Sequence, residues 1–337
     1  MGRSLFANIC AFFIPSKAAR RRFRLRQQEK DLEYQNHKLL TSMACLQGKS
    51  VAPASMYPTI GFERVLQKLN LEVLQELDRI CRKHNLHYWM DWGTLLGSVR
   101  HGGFIPWDDD VDIAMLSEDY EKFIELLPQE LGDQFVFQRV PGLKGFITLK
   151  DFAPADKDEW TAFALNRRDS DRFCFAVDIF PMHWLRDDVN EADFRRTMQK
   201  HLDEKRRWIS RLPHDWNTYE GLDKKVKAAM APFISETPTQ KVFCSIEHCS
   251  PKPIIHHAED IFPIQDIFFD GSLRMAPAVP EMYLWNLYGN WGKLVVSHFH
   301  ISFDNMRRED VKKLVRHGKR LGCLGVYPPE GSAYSQS

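Results

Sequence analysis

YWMDWGTLLGSVRHGGFIPWDDDVDIAM, residues 88–115, is the stretch that decides how this chain is read. Eleven residues separate Ser98 from the pair Asp110-x-Asp112, which belongs to a run of four carboxylates in five residues: Asp108, Asp109, Asp110 and Asp112. Such a run cannot stay ionised without a counter-charge, because like charges a few ångströms apart disfavour each other's ionisation. A hard divalent cation is the simplest relief. Magnesium takes oxygen ligands, commonly one or two carboxylates with phosphate oxygens and water. The stretch therefore points to metal-assisted phosphate chemistry.

Val111, Ile113 and Met115 alternate with Asp110, Asp112 and Ala114, which is the period of a half-buried strand. Asp110 and Asp112 then share one face, and Val111 and Ile113 enter the core. Asp108 joins the carboxylate face only if the strand begins that early. Asp109 points the other way and is the weakest candidate ligand. A solvated acidic turn capping a helix from Ser117 would have no need of alternating Val and Ile. Gly97 and Ser98 end the apolar run Trp92–Leu96, where a Gly permits a sharp turn and close approach of the backbone to a ligand. Ser98 and nearby N–H groups would face a phosphate, with Arg100 and His101 next in line for its oxygens. The plainer alternative pairs Arg100 with one of the aspartates.

Gly-Ser followed after about a dozen residues by an Asp-x-Asp in apolar flanks resembles the nucleotidyltransferase fold shared with DNA polymerase β. The longer string GTLLGSVRHGGFIPWDDDVDI resembles the LicD family, which includes bacterial phosphocholine transferases and is related to fukutin and fukutin-related protein. Val177-Asp-Ile-Phe-Pro181 and the stretch Glu259–Trp291 fit the same pattern, so the resemblance spans roughly residues 75–300. It departs after Gly289-Asn-Trp-Gly, where Lys-Leu-Val-Val stands in place of a Pro-containing segment.

The resemblance implies a mixed α/β sheet of the nucleotidyltransferase type with flanking helices. It implies transfer of a phospho-alcohol, such as phosphocholine or a polyol phosphate, from a CDP-activated donor to a glycan hydroxyl. The setting it implies is bacterial surface polysaccharide or lipooligosaccharide synthesis, with a saccharide or lipid-linked glycan as acceptor. Asp108, Asp110 and Asp112 match the metal-binding motif for Mg2+, with Mn2+ as the alternative. Asp178, a single acid in the apolar run Phe173–Pro181, matches the third carboxylate on a neighbouring strand. A buried lone carboxylate is costly unless paired or metal-bound; the plainer reading pairs it with an Arg or caps a turn before Pro181. Clamping the donor pyrophosphate by one or two ions neutralises charge on the leaving nucleotide. Asp112 and Asp178 are both candidates for the base that takes the acceptor proton. Lys150, at the end of the strand-like Gly145–Lys150, is a candidate phosphate partner or simply an exposed strand-end lysine. Arg167 and Arg168 are weaker candidates. Two alternatives remain: transfer of a nucleoside monophosphate from a triphosphate, and a non-catalytic membrane-tethered scaffold in glycan assembly.

Composition bounds the rest. A chain of 337 residues, 44% hydrophobic, has ample material for a core, and a formal net charge of +1 lacks the footprint of a nucleic-acid coat. Seven cysteines without C-x-x-C spacing suggest reduced thiols and a cytoplasmic setting. Residues 4–14 are apolar but too few to span a bilayer, and Lys17, Arg20, Arg21, Arg22, Arg24 and Arg26 follow. Residues 1–30 therefore read as an amphipathic, basic segment facing an anionic membrane surface, or as a terminal helix packed on the domain. Residues 31–60 read as a helix and linker, 61–300 as the catalytic domain with a helical insert at 190–235, and 301–337 as a last helix and tail. Val65, Leu69, Leu74, Leu77, Ile80 and Cys81 mark an amphipathic helix; Tyr120, Phe123, Ile124 and Leu127 mark another; and Pro280–Tyr288 forms a third, stopped by Gly289. Cys244, His248, Cys249, His256 and His257 lie close in sequence, but Ser-Pro-Lys-Pro divides them and a zinc site is the minor reading. Trp285, Tyr288, Trp291 and Phe299 are more often core than binding surface, although such rings also stack a base or hold a quaternary cation.

Overall fold

A computed structural model describes residues 61–165, 173–211, 215–248, 250–291 and 307–323. The segments 1–30 and 31–60, together with Arg167, Arg168, Cys249, Phe299 and the tail after Tyr327, lie outside the described residues.

Helix α1 (Gly61–Lys83) buries Val65, Leu69, Leu74, Leu77, Ile80 and Cys81, at the spacing the sequence predicts. Strand β1 (Tyr88–Met90), helix α2 (Trp92–His101), strand β2 (Val111–Leu116) and helix α3 (Ser117–Glu130) follow. A hairpin of β3 (Phe135–Arg139) and β4 (Gly145–Leu149) leads through helix α4 (Lys157–Ala164) to the long strand β5 (Val177–Leu185). Helices α5 (Glu191–Arg211) and α6 (Trp216–Met230) come next, then strands β6 (Ile234–Ser235), β7 (Lys241–Cys244) and β8 (Ile255–His257). One turn of helix, α7 (Ala258–Ile261), precedes the hairpin β9 (Gln265–Phe269) and β10 (Ser272–Ala276). Helices α8 (Pro280–Tyr288) and α9 (Arg308–Arg320) complete the described chain.

The result is a mixed α/β architecture. The main sheet runs β1-β2-β5-β4-β3, with β2 parallel to β5 and the other neighbours antiparallel. Strand β5 changes partner along its length. Val177, Asp178 and Ile179 pair with β4, whereas Met182–Leu185 pair with β7, which carries β8. Helices α1 and α3 pack on β2, β4 or β5, and the apolar residues Val111, Ile113, Ile147, Val177 and Ile179 are fully buried. Tyr120, Phe123 and Leu127 bury one side of α3, as the spacing predicts.

The 190–235 segment forms a satellite core. Phe194, Met198 and Leu202 of α5 meet Leu222 and Val226 of α6 and Phe243 of β7. The opposite side of α5 presents Arg195, Arg196, Lys200, Arg206 and Arg207 to solvent. Helix α9 packs on α1, with Leu314 in the main core and Arg320 reaching Glu72 at 2.5 and 2.7 Å. Among the described residues no helix is long and apolar enough to cross a membrane.

Candidate active site

The acidic centre is built along α2. Asp91 caps the helix by accepting the Trp92 N–H at 2.8 Å, and Gly102, at φ 63°, ends it in the left-handed conformation. Gly97 and Ser98 thus lie inside a helix, not in a turn. The turn expected at Gly97 falls at Gly102-Gly103 instead, because the Asp91 and Gly102 caps fix the two helix ends. From there the chain runs back along α2 toward its N-terminus. A Cβ on Gly97 would stand 2.5 Å from the Gly103 carbonyl oxygen and 3.0 Å from the Ile105 nitrogen. A Cβ on Gly93, one turn earlier, would stand 2.6 Å from Asp108 Oδ2. The two glycines form the track on which the returning chain lies, and the track delivers the Asp108 carboxylate to the N-terminal end of α2. That end carries the positive pole of the helix dipole.

The next residues enter β2 beside Asp178. In register, Asp112 is the partner of Asp178 and Ile113 of Ile179. Neighbouring strands lie about 4.8 Å apart and partners share a face, so Asp112 and Asp178 stand side by side. The acids before the strand gather separately. One carboxylate oxygen from each of Asp108, Asp109 and Asp110 lies within 4.8 Å of the others. Asp109, expected to face away, belongs to this group and is buried, because the strand begins only at Val111 and its alternation does not govern the turn before it. Two side chains of α1 hold that turn. Gln67 donates to the Asp108 carbonyl and Asn70 to the Asp109 carbonyl, each at 2.8 Å.

The crowding has a clear electrostatic signature. Burial pushes the Asp112 carboxyl well above the usual carboxylate range; Asp110 and Asp178 add to this and Lys144 opposes it. Burial raises Asp108 likewise, followed by the charge and hydrogen bond of Asp110 and the charges of Asp109 and Asp112. Lys144 ion-pairs with Asp178. It is a residue that sequence reasoning missed, as are Gln67, Asn70, Asp91 and Tyr283 around the site. The signals that find it are the Pro141-Gly142 turn, which places Lys144 at the start of the return strand, and the alternation Lys144, Phe146, Thr148 on the face of Asp178. Behind the cluster, Trp89 donates to Tyr283 and Tyr283 to Asp91, each at 3.0 Å. Burial raises Asp91 to about 6, against the Trp92 N–H, Tyr283 and Lys144.

The remaining predicted residues are more scattered. The Ser98 hydroxyl donates to the Phe268 carbonyl of β9 at 2.8 Å. His101 is buried, its Nε2 has no hydrogen-bond partner, and burial with Arg100 beside it lowers it to about 4, so its ring is neutral. Arg100 lies seven residues beyond Gly93, about 10 Å along the helix axis. Lys150 is exposed, in a single 3-10 turn after β4. Trp285 and Tyr288 are surface residues, at 57% and 41% exposure, and it is Tyr283 and Leu284 that face the core from α8. The Tyr288 ring meets Trp92 edge-on at 5.9 Å. Its hydroxyl is raised by the atoms packed round it and then by Asp112, Asp91, Asp108 and Asp110. His248 accepts the Ser250 N–H at 2.8 Å and His256 stacks on Tyr283 at 3.9 Å; among the described residues these histidines do not gather with Cys244 into a ligand group.

The donor set at the starts of β2 and β5 is hard oxygen throughout, which fits Mg2+ or Mn2+ and not a thiolate- or imidazole-bound metal. An α/β protein with an acidic centre beside two parallel strands is the class that fold and site define. Residues 85–212 match the family described as "LicD/FKTN/FKRP, nucleotidyltransferase domain". The lipopolysaccharide cholinephosphotransferase LicD of Haemophilus influenzae is 36% identical over 72 residues, 21% of this chain and 27% of that protein. An uncharacterized protein of Rickettsia typhi, RT0683, is 32% identical over 114 residues, 33% of this chain and 37% of that one. The human ribitol 5-phosphate transferase FKRP is 36% identical over 84 residues, 24% of this chain and 16% of FKRP. The matched part is thus well under half of each of these relatives.

Proposed function

We propose that this protein is a metal-dependent phosphotransferase. In this reading it moves a phospho-alcohol, phosphocholine or a related polyol phosphate, from a CDP-activated donor to a saccharide hydroxyl. The observation that carries it is the pairing of Asp112 with Asp178 on adjacent parallel strands, beside the Asp108–Asp110 turn at the N-terminus of α2. The names of the Haemophilus and human relatives, a cholinephosphotransferase acting on lipopolysaccharide and a ribitol 5-phosphate transferase, support the substrate class.

Asp108, Asp110, Asp112 and Asp178 would hold Mg2+ or Mn2+, with Asp109 as a further neighbour. When bound, the ion would neutralise donor phosphate charge. The chain's own residues do the rest. The α2 N-terminus favours anions at its end. Gln67 and Asn70 keep the acidic turn in place from below. Asp112 or Asp178 takes the proton of the attacking hydroxyl. Arg100, at the far end of α2, and Lys150, on the surface, are proposed only as outer contacts for donor or acceptor. The fold is proposed to be of the nucleotidyltransferase type. The apolar and basic residues 1–30 are proposed to rest on the anionic inner face of a bacterial cell membrane, where a lipid-linked glycan acceptor would be presented.

The test is to incubate the purified protein with Mg2+ and CDP-choline, CDP-ribitol, CDP-glycerol or CTP, and to analyse the products by mass spectrometry. CMP released from one CDP-alcohol identifies the transferred group. Pyrophosphate released from CTP would replace this reading with nucleotidyl transfer. Asp110→Asn should abolish turnover while the far-ultraviolet circular dichroism stays that of the parent. Full activity in that variant would remove the metal assignment.

A further inference from the structure

Lys144 stands at the foot of the β3–β4 hairpin, one residue before β4 begins. Its side chain and that of Asp178 are 13% and 12% exposed. Two aromatic rings flank the ammonium: Phe180 at 4.7 Å and Phe146 at 5.7 Å from Nζ to ring centroid. Its charge also reaches Asp112 and Asp91. The ammonium ion-pairs with Asp178 of β5, whose partner in register on β2 is Asp112. A nearly buried ammonium is costly unless paired, and here carboxylates and ring faces supply the partners. Lysine suits a charge that must move, because its ammonium is a compact point charge on a flexible four-carbon stem, whereas an arginine would be fixed by its planar fork.

We propose that Lys144 is a displaceable counter-cation: its ammonium neutralises Asp178 and Asp112 when no divalent ion is bound, and it withdraws when an ion takes those oxygens. This rests on the metal reading proposed above. Ammonium and ion compete for the same carboxylates, so the lysine weakens ion binding while keeping the ion-free site from being an uncompensated cluster of acids.

The experiment uses Mn2+ alone as the probe, titrated into the full chain and followed by electron paramagnetic resonance of the free ion. Lys144→Met should bind Mn2+ about tenfold tighter than the parent, with Lys144→Arg closer to the parent. Its melting temperature without metal should fall, and the rise on adding Mn2+ should exceed that of the parent. A second measurement needs no variant. Acetylation of Lys144 in the parent protein by an amine-reactive ester, read by mass spectrometry, should increase several-fold on adding Mg2+. Mn2+ binding in the parent that is unchanged or weakened in Lys144→Met, or acetylation that does not rise with Mg2+, would overturn the displacement. Absence of Mn2+ binding in the parent and both variants would remove the metal reading itself, and this proposal with it.

Discussion

Gly93 and Gly97 lie one turn apart on α2, and Ala at each should fail in a different way. At Gly97 the added methyl meets backbone, 2.5 Å from the Gly103 oxygen. Neither atom is free to rotate away, so the returning chain must shift. Overpacking of this kind costs about 1–3 kcal/mol, against about 0.5–1 kcal/mol gained by replacing Gly with Ala in a helix. Gly97→Ala should therefore lose about 1–2 kcal/mol of stability in urea unfolding followed by circular dichroism. At Gly93 the methyl meets only Asp108 Oδ2, the far end of a side chain, at 2.6 Å where ordinary contact begins at 3.4 Å. The carboxylate turns aside by about 0.8 Å, while the helix gains propensity; the urea midpoint should stay level or rise. The displaced oxygen is one of the proposed metal ligands, and Mg2+ demands near-ideal octahedral geometry, so metal affinity should fall about tenfold or more. Calorimetric titration with Mg2+ or Mn2+ provides the second readout. Unaltered metal binding in a folded Gly93→Ala would refute the placement of Asp108 at the site. Parent-like stability in Gly97→Ala would refute the close packing of the returning chain.

Asn70→Ala removes the donor to the buried Asp109 carbonyl and should cost about 1–3 kcal/mol in the same urea assay, with weaker metal binding as the acidic turn loosens. Glu247 is buried, its Oε2 has no hydrogen-bond partner, and burial raises it from 4.5 to about 7. Between those two values the folded protein keeps a proton that the unfolded chain releases, so this group makes stability fall as pH rises through the window. Glu247→Gln should remove that fall, giving a difference from the parent that grows across the window to about 3 kcal/mol above it. His248 and His256, lowered by burial to about 3, slope the other way and cancel in the comparison. A difference that does not vary with pH would show that Glu247 is not held protonated.

The alternation of Val111, Ile113 and Met115 with Asp110 and Asp112 was enough to read β2, because a strand with one face in the core and acids on the other leaves its period in the sequence. Asp178 was legible for a related reason: an acid within an apolar run has to be compensated. The side-by-side placement of Asp112 and Asp178 was not legible, since no local pattern states which strands pair or in what register. Helix α2 was hidden by its composition. Gly93, Thr94, Gly97 and Ser98 give it little intrinsic propensity, and its boundaries come from the Asp91 and Gly102 caps and from the chain packed on it. The close approach expected of Gly97 is present, but its partner is the protein's own backbone. Lys150 owed its prominence to a strand alternation carried one residue past the end of β4. The lysine that reaches Asp178 is six residues earlier, where a turn and a strand meet.

The change of partner along β5 has a practical consequence for fragments of this protein. A piece cut to residues 85–212 would contain every proposed carboxylate ligand and Lys144. It would lack α1, uncovering the part of the sheet which that helix packs on and leaving the Asp108 and Asp109 carbonyls without Gln67 and Asn70. The C-terminal half of β5 would become an open edge without β7, the kind of edge that recruits other chains. Tyr283 would no longer reach Asp91. The smallest piece that keeps these supports begins at Gly61 and includes α8, so expression trials that trim to residues 85–212 should yield aggregates where the longer piece stays monodisperse.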